Sequence, residues 1–192
     1  MDATPWLIVG LGNPGSRYAR TRHNVGFMAL EAFAAAQSPA HLGAPRWAEK
    51  WKSLTATLSC GAQRCVLLQP QTYMNRSGAS VVPAAQFHRV PASQMIVVHD
   101  EIDFPLGRLA IKKGGGHGGH NGLRDIVAQL GSAEFLRVRL GVGRPVHGEV
   151  AAYVAIDGRF AGVLILADDP RPESAAVVSW LRANGVERIA ML

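Results

Sequence analysis

The start of the chain passes from a short apolar run through a glycine-rich loop into a helix, and this order limits the fold more than any other feature. Residues 6–10, Trp-Leu-Ile-Val-Gly, have the length and apolar character of a buried strand. Residues 24–36 show the spacing of apolar side chains that is typical of an amphipathic helix. Because strands that alternate with helices are typical of α/β proteins, we predict an α/β fold.

The rest of the chain extends this alternation. Residues 54–59 and 64–69 predict two strands joined by a turn at Cys60-Gly61, and such a hairpin makes the sheet mixed. Residues 37–48 are predicted as loop, and the remaining elements are strands at 95–99, 108–112 and 136–142 and helices at 77–88 and 121–130. With 192 residues and no internal repeat, we expect one domain over residues 1–192: a three-layer α/β/α sandwich with a mixed central sheet.

Charge and hydropathy narrow the class of protein. The net charge is +6, and residues 1–145 carry 16 basic against 8 acidic side chains, an excess that attracts polyanions. Arginine supplies 16 of the 20 basic residues, which can also reflect genomic base composition.

No apolar run approaches the roughly 18 residues of a membrane span, and the first residues do not resemble a secretory signal, so we expect a cytoplasmic protein without a membrane partner. Cys60 and Cys65 are predicted to be unpaired thiols.

The first glycine cluster, Gly10-Leu-Gly12-Asn13-Pro14-Gly15, formally matches a dinucleotide-binding fingerprint. That fingerprint requires the loop to open directly into a helix and an acidic residue to follow the next strand. Here a polar, basic stretch follows instead, and the nearest acid, Glu31, lies inside the predicted helix. We therefore expect no dinucleotide cofactor, and we interpret the glycines as a tight turn that presents the Asn13 side chain.

A candidate general base lies at the start of the first helix. His23 has the side chain that most often activates water near neutral pH, although a lone histidine at a helix start is more often an ordinary surface residue. Asp100, Glu101 and Asp103 follow an apolar strand and supply possible carboxylate partners. Asp100 is the favoured partner because it is the first acid after the strand, but spacing alone leaves all three open.

A second glycine-rich segment runs from Lys112 to Gly122 and carries His117 and His120. Two histidines in such a loop suggest zinc, but no third ligand follows at a recognised spacing, so we expect no metal. Asn121 at the next helix start is predicted either to cap that helix or to reach into a cleft, and Asn75 or Ser77 is predicted as an N-cap. The sequence has no serine-nucleophile elbow, so a covalent serine mechanism is unsupported.

Four segments together resemble the bacterial-type peptidyl-tRNA hydrolase family. They are IVGLGNPGSRYARTRHNVGF, LLQPQTYMNRSG, VVHDEIDFPLGRLAIKKGGGHGGHNGLRDI and FLRVRLGVGRP, and they occur in order between residues 6 and 145. The resemblance implies metal-independent hydrolysis, without a cofactor, of the ester between a peptide and the 3′ ribose of tRNA by a monomer. After residue 145 the sequence departs from the family pattern, so residues 146–192 are expected to form a divergent lid region.

The resemblance also assigns roles to individual residues. His23 is implied as general base and Asp100 as its partner, with Asn13 and Asn121 completing the catalytic set. The residues implied to bind the substrate in the cleft are Tyr18, Met74, Asn75 and His120. Those implied to bind tRNA phosphates are Lys112 and Arg139, with Arg108, Lys113 and Arg137 as neighbours. Two other interpretations stay open: a non-catalytic RNA-binding relative, and a metal-dependent hydrolase that uses His117 and His120.

Overall fold

A seven-stranded mixed sheet forms the centre of the protein. The computed structural model describes residues 4–37, 45–144, 149–156 and 159–167. The strands of this sheet are β1 (Trp6–Gly10), β2 (Ala48–Lys50), β3 (Ser53–Cys60), β4 (Gln63–Pro70), β5 (Met95–Glu101), β6 (Leu109–Lys113) and β7 (Leu136–Gly141). Their spatial order is β2-β3-β4-β1-β5-β7-β6, with β4, β1, β5 and β7 parallel to one another. Antiparallel pairing of β2 with β3, β3 with β4 and β6 with β7 completes the sheet.

Helices cover both faces of this sheet: α1 (Val25–Gln37), α2 (Gly78–His88) and α3 (Asn121–Leu130). Side chains alternate between the faces along a strand, so Leu7 packs with α2 and α3, whereas Ile8 packs with α1. Because both sides are buried, the central strands are apolar at nearly every position. The predicted three-layer α/β/α sandwich with a mixed central sheet is confirmed.

The predicted elements agree with the structure within a few residues, with three differences. Strand β5 continues through Asp100 and Glu101, which pair with Leu140 and Gly141 of β7. These two acids therefore lie within the strand, and Asp103 follows it. Strand β2 lies in the segment predicted as loop. The described residues also include a hairpin of β8 (Glu149–Ile156) and β9 (Arg159–Ala167), which the sequence did not predict.

This hairpin belongs to a second compact unit, Pro145–Leu192, while the sheet and its helices belong to the unit Met1–Arg144. Most of the predicted lid region, including residues 168–192, lies outside the described residues. A single domain over residues 1–192 with a C-terminal lid therefore stays a prediction. Among the described residues, no helix has the length and hydropathy needed to cross a bilayer.

Gly10, of the first glycine cluster, and Gly26, of α1, allow β1 and α1 to approach each other closely. A Cβ atom at Gly26 would lie 2.4 Å from the Leu11 carbonyl oxygen and 2.6 Å from that of Val98. A Cβ at Gly10 would lie 2.4 Å from the Gly26 carbonyl oxygen. These glycines therefore bring the start of α1, and with it His23, against the ends of β1 and β5.

We expect Gly26→Ala to lower the free energy of unfolding by about 2 kcal/mol or more, because rigid backbone atoms surround the added methyl group. Gly116→Ala is the matched control, since a Cβ there meets no atom within 4 Å. Urea denaturation of both variants measures the difference. Equal stability of Gly26→Ala and Gly116→Ala would show that the close approach is not required.

Candidate active site

A cavity of about 350 Å³ lies where β1 and β5 end and α3 begins. It brings together six of the residues implied by the family resemblance: Asn13, His23, Met74, Asp100, His120 and Asn121. Glu101 and His117, which the sequence offered as an alternative acid and as a possible metal ligand, also line it, together with His99 and Ile102, which the sequence did not single out. Segments far apart in sequence therefore meet at one end of the sheet, where α/β proteins commonly place their ligand sites.

His23 and Asp100 form the central pair of the cavity. The Nδ1 atom of His23 lies 2.8 Å from Oδ2 of Asp100. The side chain of His23 is 58% exposed, whereas that of Asp100 is only 4% exposed. An ionised carboxylate has no proton to donate, so Nδ1 carries the proton and donates it to Asp100. The Nε2 atom of His23 is then left with a lone pair, as a general base requires.

The carboxylate also accepts a hydrogen bond from a second histidine. His120 is the N-cap of α3, and its Nδ1 accepts hydrogen bonds from the backbone N–H groups of Gly122 and Leu123. The proton must therefore be on Nε2, which donates to Oδ1 of Asp100 at 2.9 Å. His120, and not Asn121, caps this helix, and both oxygens of Asp100 accept from an imidazole.

The electrostatics of the cluster follow from these bonds. Burial alone would raise the pKa of the Asp100 carboxyl, but hydrogen bonds from His120 and His23 hold that pKa well below its usual range. The hydrogen bond to Asp100 raises the pKa of His23 above its ordinary value, against the opposing effects of partial burial and of Arg22. Asp100 is therefore the charged partner of His23, and neither Glu101 nor Asp103 is hydrogen-bonded to it.

His99 is a buried histidine of the cavity that sequence reasoning did not single out. Its Nδ1 donates to the Asp100 carbonyl oxygen at 2.7 Å, and its ring packs edge to face against His120 at 4.8 Å. Burial, together with the neighbouring His120, lowers the pKa of His99 to about 4. His99 is therefore neutral near pH 7, and it packs against the ring of His120 without adding a charge.

Asn13 is fixed in orientation by its neighbours. Its Oδ1 accepts a hydrogen bond from the Met74 backbone N–H at 2.8 Å, so its NH₂ group remains available to the cavity. The buried Asn24 bonds to both the N–H and the carbonyl of Asn13. Sequence reasoning missed Asn24, although its place beside His23 at a helix start was a usable signal.

Asn121 is oriented in a similar way. Its Oδ1 accepts from Nη2 of Arg124 at 2.8 Å, and arginine has no acceptor atom, so the amide oxygen must face the guanidinium. The NH₂ group of Asn121 is then free to donate. The cavity consequently presents two neutral amide donors, from Asn13 and Asn121, near the free nitrogen of His23.

Two of the predicted substrate-binding residues do not line the cavity. Tyr18 lies in the turn before His23, where its carbonyl accepts hydrogen bonds from Thr21 and its ring contacts the guanidinium of Arg17. Asn75 is exposed in a short 3-10 turn before α2. Ser77 precedes α2, but its hydroxyl donates to the Met74 carbonyl and does not cap the helix.

Three of the predicted phosphate-binding residues are exposed, and the other two, Arg139 and Arg137, are hydrogen-bonded within the protein. Arg108, Lys112 and Lys113 are exposed on and beside β6. Arg139 bonds to Oε2 of Glu101 through both Nε and Nη2, at 3.0 and 2.8 Å, so part of its charge is already neutralised. Its guanidinium also stacks on the ring of Phe104, 4.3 Å from the centroid.

Arg137 supports the loop from within and is not a surface ligand. It is only 2% exposed, and its guanidinium donates to the carbonyl oxygens of Gly115 and Gly116 in the second glycine-rich segment. Burial lowers its pKa, as does the neighbouring Arg139. The predicted tRNA contact of Arg137 is corrected accordingly, because strand β7 directs this side chain under the loop, where a phosphate cannot reach it.

We expect Arg137→Met to lower the free energy of unfolding by about 2 kcal/mol, because it removes charged hydrogen-bond donors from two loop carbonyls. Lys112→Met is the matched control, since Lys112 is the exposed partner of Arg137 across β6 and β7. Lys112→Met should leave stability within about 0.5 kcal/mol. Equal stability of the two variants would contradict the structural role of Arg137.

A mixed α/β sandwich with a histidine–carboxylate pair and two amide donors in one cleft has the groups that a water-activating hydrolase requires. The family model described as peptidyl-tRNA hydrolase matches residues 7–161 of this chain. The peptidyl-tRNA hydrolase of Geobacter sulfurreducens is 52% identical over 148 residues, 77% of this chain and 74% of the relative. That of Alkalilimnicola ehrlichii is 50% identical over 184 residues, 93% and 89% of the two chains.

Solved structures agree with these relatives. The crystal structure of peptidyl-tRNA hydrolase from Acinetobacter baumannii is 40% identical, with a TM-score of 0.65 over 76% of this chain and 71% of that one. The chain therefore belongs to the peptidyl-tRNA hydrolase family, as its four motifs predicted. The match continues past residue 145, further than the motifs alone indicated.

Proposed function

We propose that this chain hydrolyses the ester between a peptide and the 3′ ribose of tRNA, with His23 as the general base and Asp100 as its orienting partner. The observation that carries the proposal is the hydrogen bond between Nδ1 of His23 and Asp100, which leaves Nε2 as a base in an open cavity. Membership of the family supports the reaction, and the geometry of the cavity supports the roles that we propose for the residues.

The reaction begins with a water molecule hydrogen-bonded to Nε2 of His23. This nitrogen takes a proton as the water oxygen attacks the ester carbonyl carbon, and Asp100 stabilises the imidazolium that forms. The carbon–oxygen bond to the ribose then breaks. The proton passes from Nε2 to the departing 3′ oxygen, and the products are a peptide with a free carboxyl group and an intact tRNA.

Asn13 and Asn121 would hold the substrate for this step. Their NH₂ groups are oriented by Met74 and Arg124, so each can donate to a substrate carbonyl or to the oxyanion. Neutral donors stabilise developing negative charge without lowering the pKa of the nearby base as a fixed positive charge would. Met74 also lines the cavity and supplies an apolar surface for the peptide.

Phosphates of tRNA would be held beside this cavity by the exposed cations Lys112, Lys113 and Arg108. Arg139 would contribute through the part of its guanidinium that Glu101 leaves free. We further propose that the chain acts as a monomer in the cytoplasm, as one domain with residues 146–192 as a lid. Tyr18 and Asn75 would contact substrate only at the rim, outside the cavity.

The two rival interpretations account less well for the site. A pure RNA-binding relative has no need for a base whose tautomer is fixed by a buried carboxylate. A metal site at His117 and His120 would have to break existing bonds, since both nitrogens of His120 are hydrogen-bonded, and Nδ1 of His117 accepts from the Gly119 N–H, which leaves the proton of a neutral His117 on Nε2. In the described part of the chain, no group of three suitable side chains could hold a metal ion.

An assay of tRNA release tests the proposal. The protein is incubated with an N-acetyl-aminoacyl-tRNA, and free tRNA is separated from the ester by electrophoresis. Catalytic release that a transition-metal chelator does not change is the expected result. Binding without release would favour the RNA-binding relative, and loss of activity with the chelator would favour the metal-dependent hydrolase.

A further inference from the structure

A second feature of the surface lies at the far end of α2 from the cavity. The rings of Trp51, Phe87 and His88 contact one another with centroids 5.0–5.3 Å apart. Phe87 is 67% exposed, so one ring of this cluster faces solvent. Helix α2 spans 11 residues, and at about 1.5 Å per residue its end lies roughly 15 Å from its start near Met74.

Two cations, Lys50 and Arg64, act on this ring cluster. Lys50 places its Nζ 5.8 Å from the centroid of Trp51. Arg64 lies on the same strand face as Val66 and Leu68, which pack beneath α2, and it shares with Lys50 the positive field that acts on His88. Desolvation is the first cause that lowers the pKa of His88, and these two cations are the next. Within the described residues, none of the ion pairs involves Lys50 or Arg64.

We propose that this aromatic–basic patch, formed by Lys50, Trp51, Arg64, Phe87 and His88, is a second contact surface for the RNA part of the substrate. The inference rests on the proposed function and extends it. Lys50 and Arg64 contact backbone phosphates, and the exposed face of Phe87 stacks on a base or ribose. The cavity recognises the ester end of the substrate, while the patch holds a more distant part of the same RNA.

RNA fits this surface better than an apolar or acidic protein segment does. An exposed aromatic ring beside cations that form no ion pair among the described residues is a combination that binds nucleic acids, through stacking and phosphate contacts together. A peptidyl-tRNA is also the one large polyanion that the proposed function brings to this chain. The patch therefore accounts for basic residues that lie away from the phosphate-binding cations on β6.

The test uses the full chain carrying Arg64→Gln and Phe87→Ala. Its matched control carries Gln37→Glu and Met28→Ala on α1, on the other face of the sheet. The control likewise lowers the net charge by one, here by adding a negative charge, and removes one exposed apolar side chain. Each protein is assayed with two substrates: an N-acetyl-aminoacyl-tRNA, and the same acyl group on a short oligonucleotide ending in CCA. For the patch variant, we expect KM to rise about tenfold with the tRNA substrate and to stay unchanged with the short one.

Any other result for the patch variant or its control would contradict the proposal that the patch binds RNA. An unchanged KM with the tRNA substrate would show that the RNA does not reach it, as would be the case if a protein partner binds there. An equal rise of KM with both substrates would show that the substitutions affect the cavity or the fold. An equal rise of KM in the control variant would show that the effect comes from net charge alone. Failure of the unmodified protein to cleave either substrate would instead refute the proposed function, so the two failures are distinguishable.

Discussion

Replacing His23 with alanine is expected to lower kcat for N-acetyl-aminoacyl-tRNA by at least about two orders of magnitude. The variant removes the nitrogen that we propose accepts the proton of water. The other described histidines of the cavity are less suited to that role: His120 has both nitrogens engaged, Nδ1 of His117 accepts from the Gly119 N–H, and His99 is buried. The affinity for deacylated tRNA should change little, because His23 lies among neutral amides and not among the cations on β6. Steady-state kinetics and a tRNA-binding titration measure the two quantities.

His117→Ala is the control for this experiment. His117 also lines the cavity, but its side chain bonds only to the Gly119 backbone among the described hydrogen bonds, so we expect less than a tenfold loss of kcat. If His23→Ala retains full activity, or if His117→Ala is the more damaging change, His23 is not the base. The second result would revive the metal-dependent hydrolase.

Replacing Asp100 with asparagine, a side chain of nearly the same shape, should lower kcat by about three orders of magnitude. Both imidazoles donate to Asp100, but an amide has one oxygen and one NH₂ group, so one donor loses its acceptor. His120 must keep Nδ1 unprotonated to cap α3. His23 therefore switches tautomer, and its Nε2 becomes protonated and cannot take a proton from water.

Asp103→Asn provides the matched control for Asp100→Asn. Asp103 is an exposed acid of the same segment and pairs with Arg144, away from His23. We expect its kcat to remain close to that of the unmodified protein. A large loss for Asp103→Asn, or none for Asp100→Asn, would contradict the choice of Asp100 among the three candidate acids.

The sequence was most informative where local pattern and chemistry coincide. Apolar runs and glycines predicted the strands and helices of the sandwich, because strand and helix periodicities differ and both faces of the sheet need cover. The four family motifs brought His23, Asp100, Asn13, Met74, His120 and Asn121 to one cavity. Spacing could not choose among Asp100, Glu101 and Asp103, because the alternation of side chains along β5 decides which acid faces α1.

The errors concern contacts between residues that are distant in sequence. Arg137 was predicted on a phosphate because its type and neighbours are basic, yet the pairing of β7 with its neighbours buries it beneath Gly115 and Gly116. Capping by an imidazole, as in His120, has no common sequence signature. The reciprocal bonds between Asn13 and Asn24 likewise depend on the approach of α1 to β1, which a sequence pattern does not reveal.

We propose that Asp100 raises the basicity of a catalytic His23, and the dependence of kcat/KM on pH measures this effect. A general base acts when neutral, so kcat/KM should rise with pH through the pKa of His23, and the raised pKa places this midpoint above about 6.5. In Asp100→Asn, the residual activity should follow a limb shifted to lower pH, after correction for spontaneous hydrolysis. An identical midpoint in the two proteins, or no acidic limb in the unmodified protein, would show that Asp100 does not raise the basicity of a general base at His23.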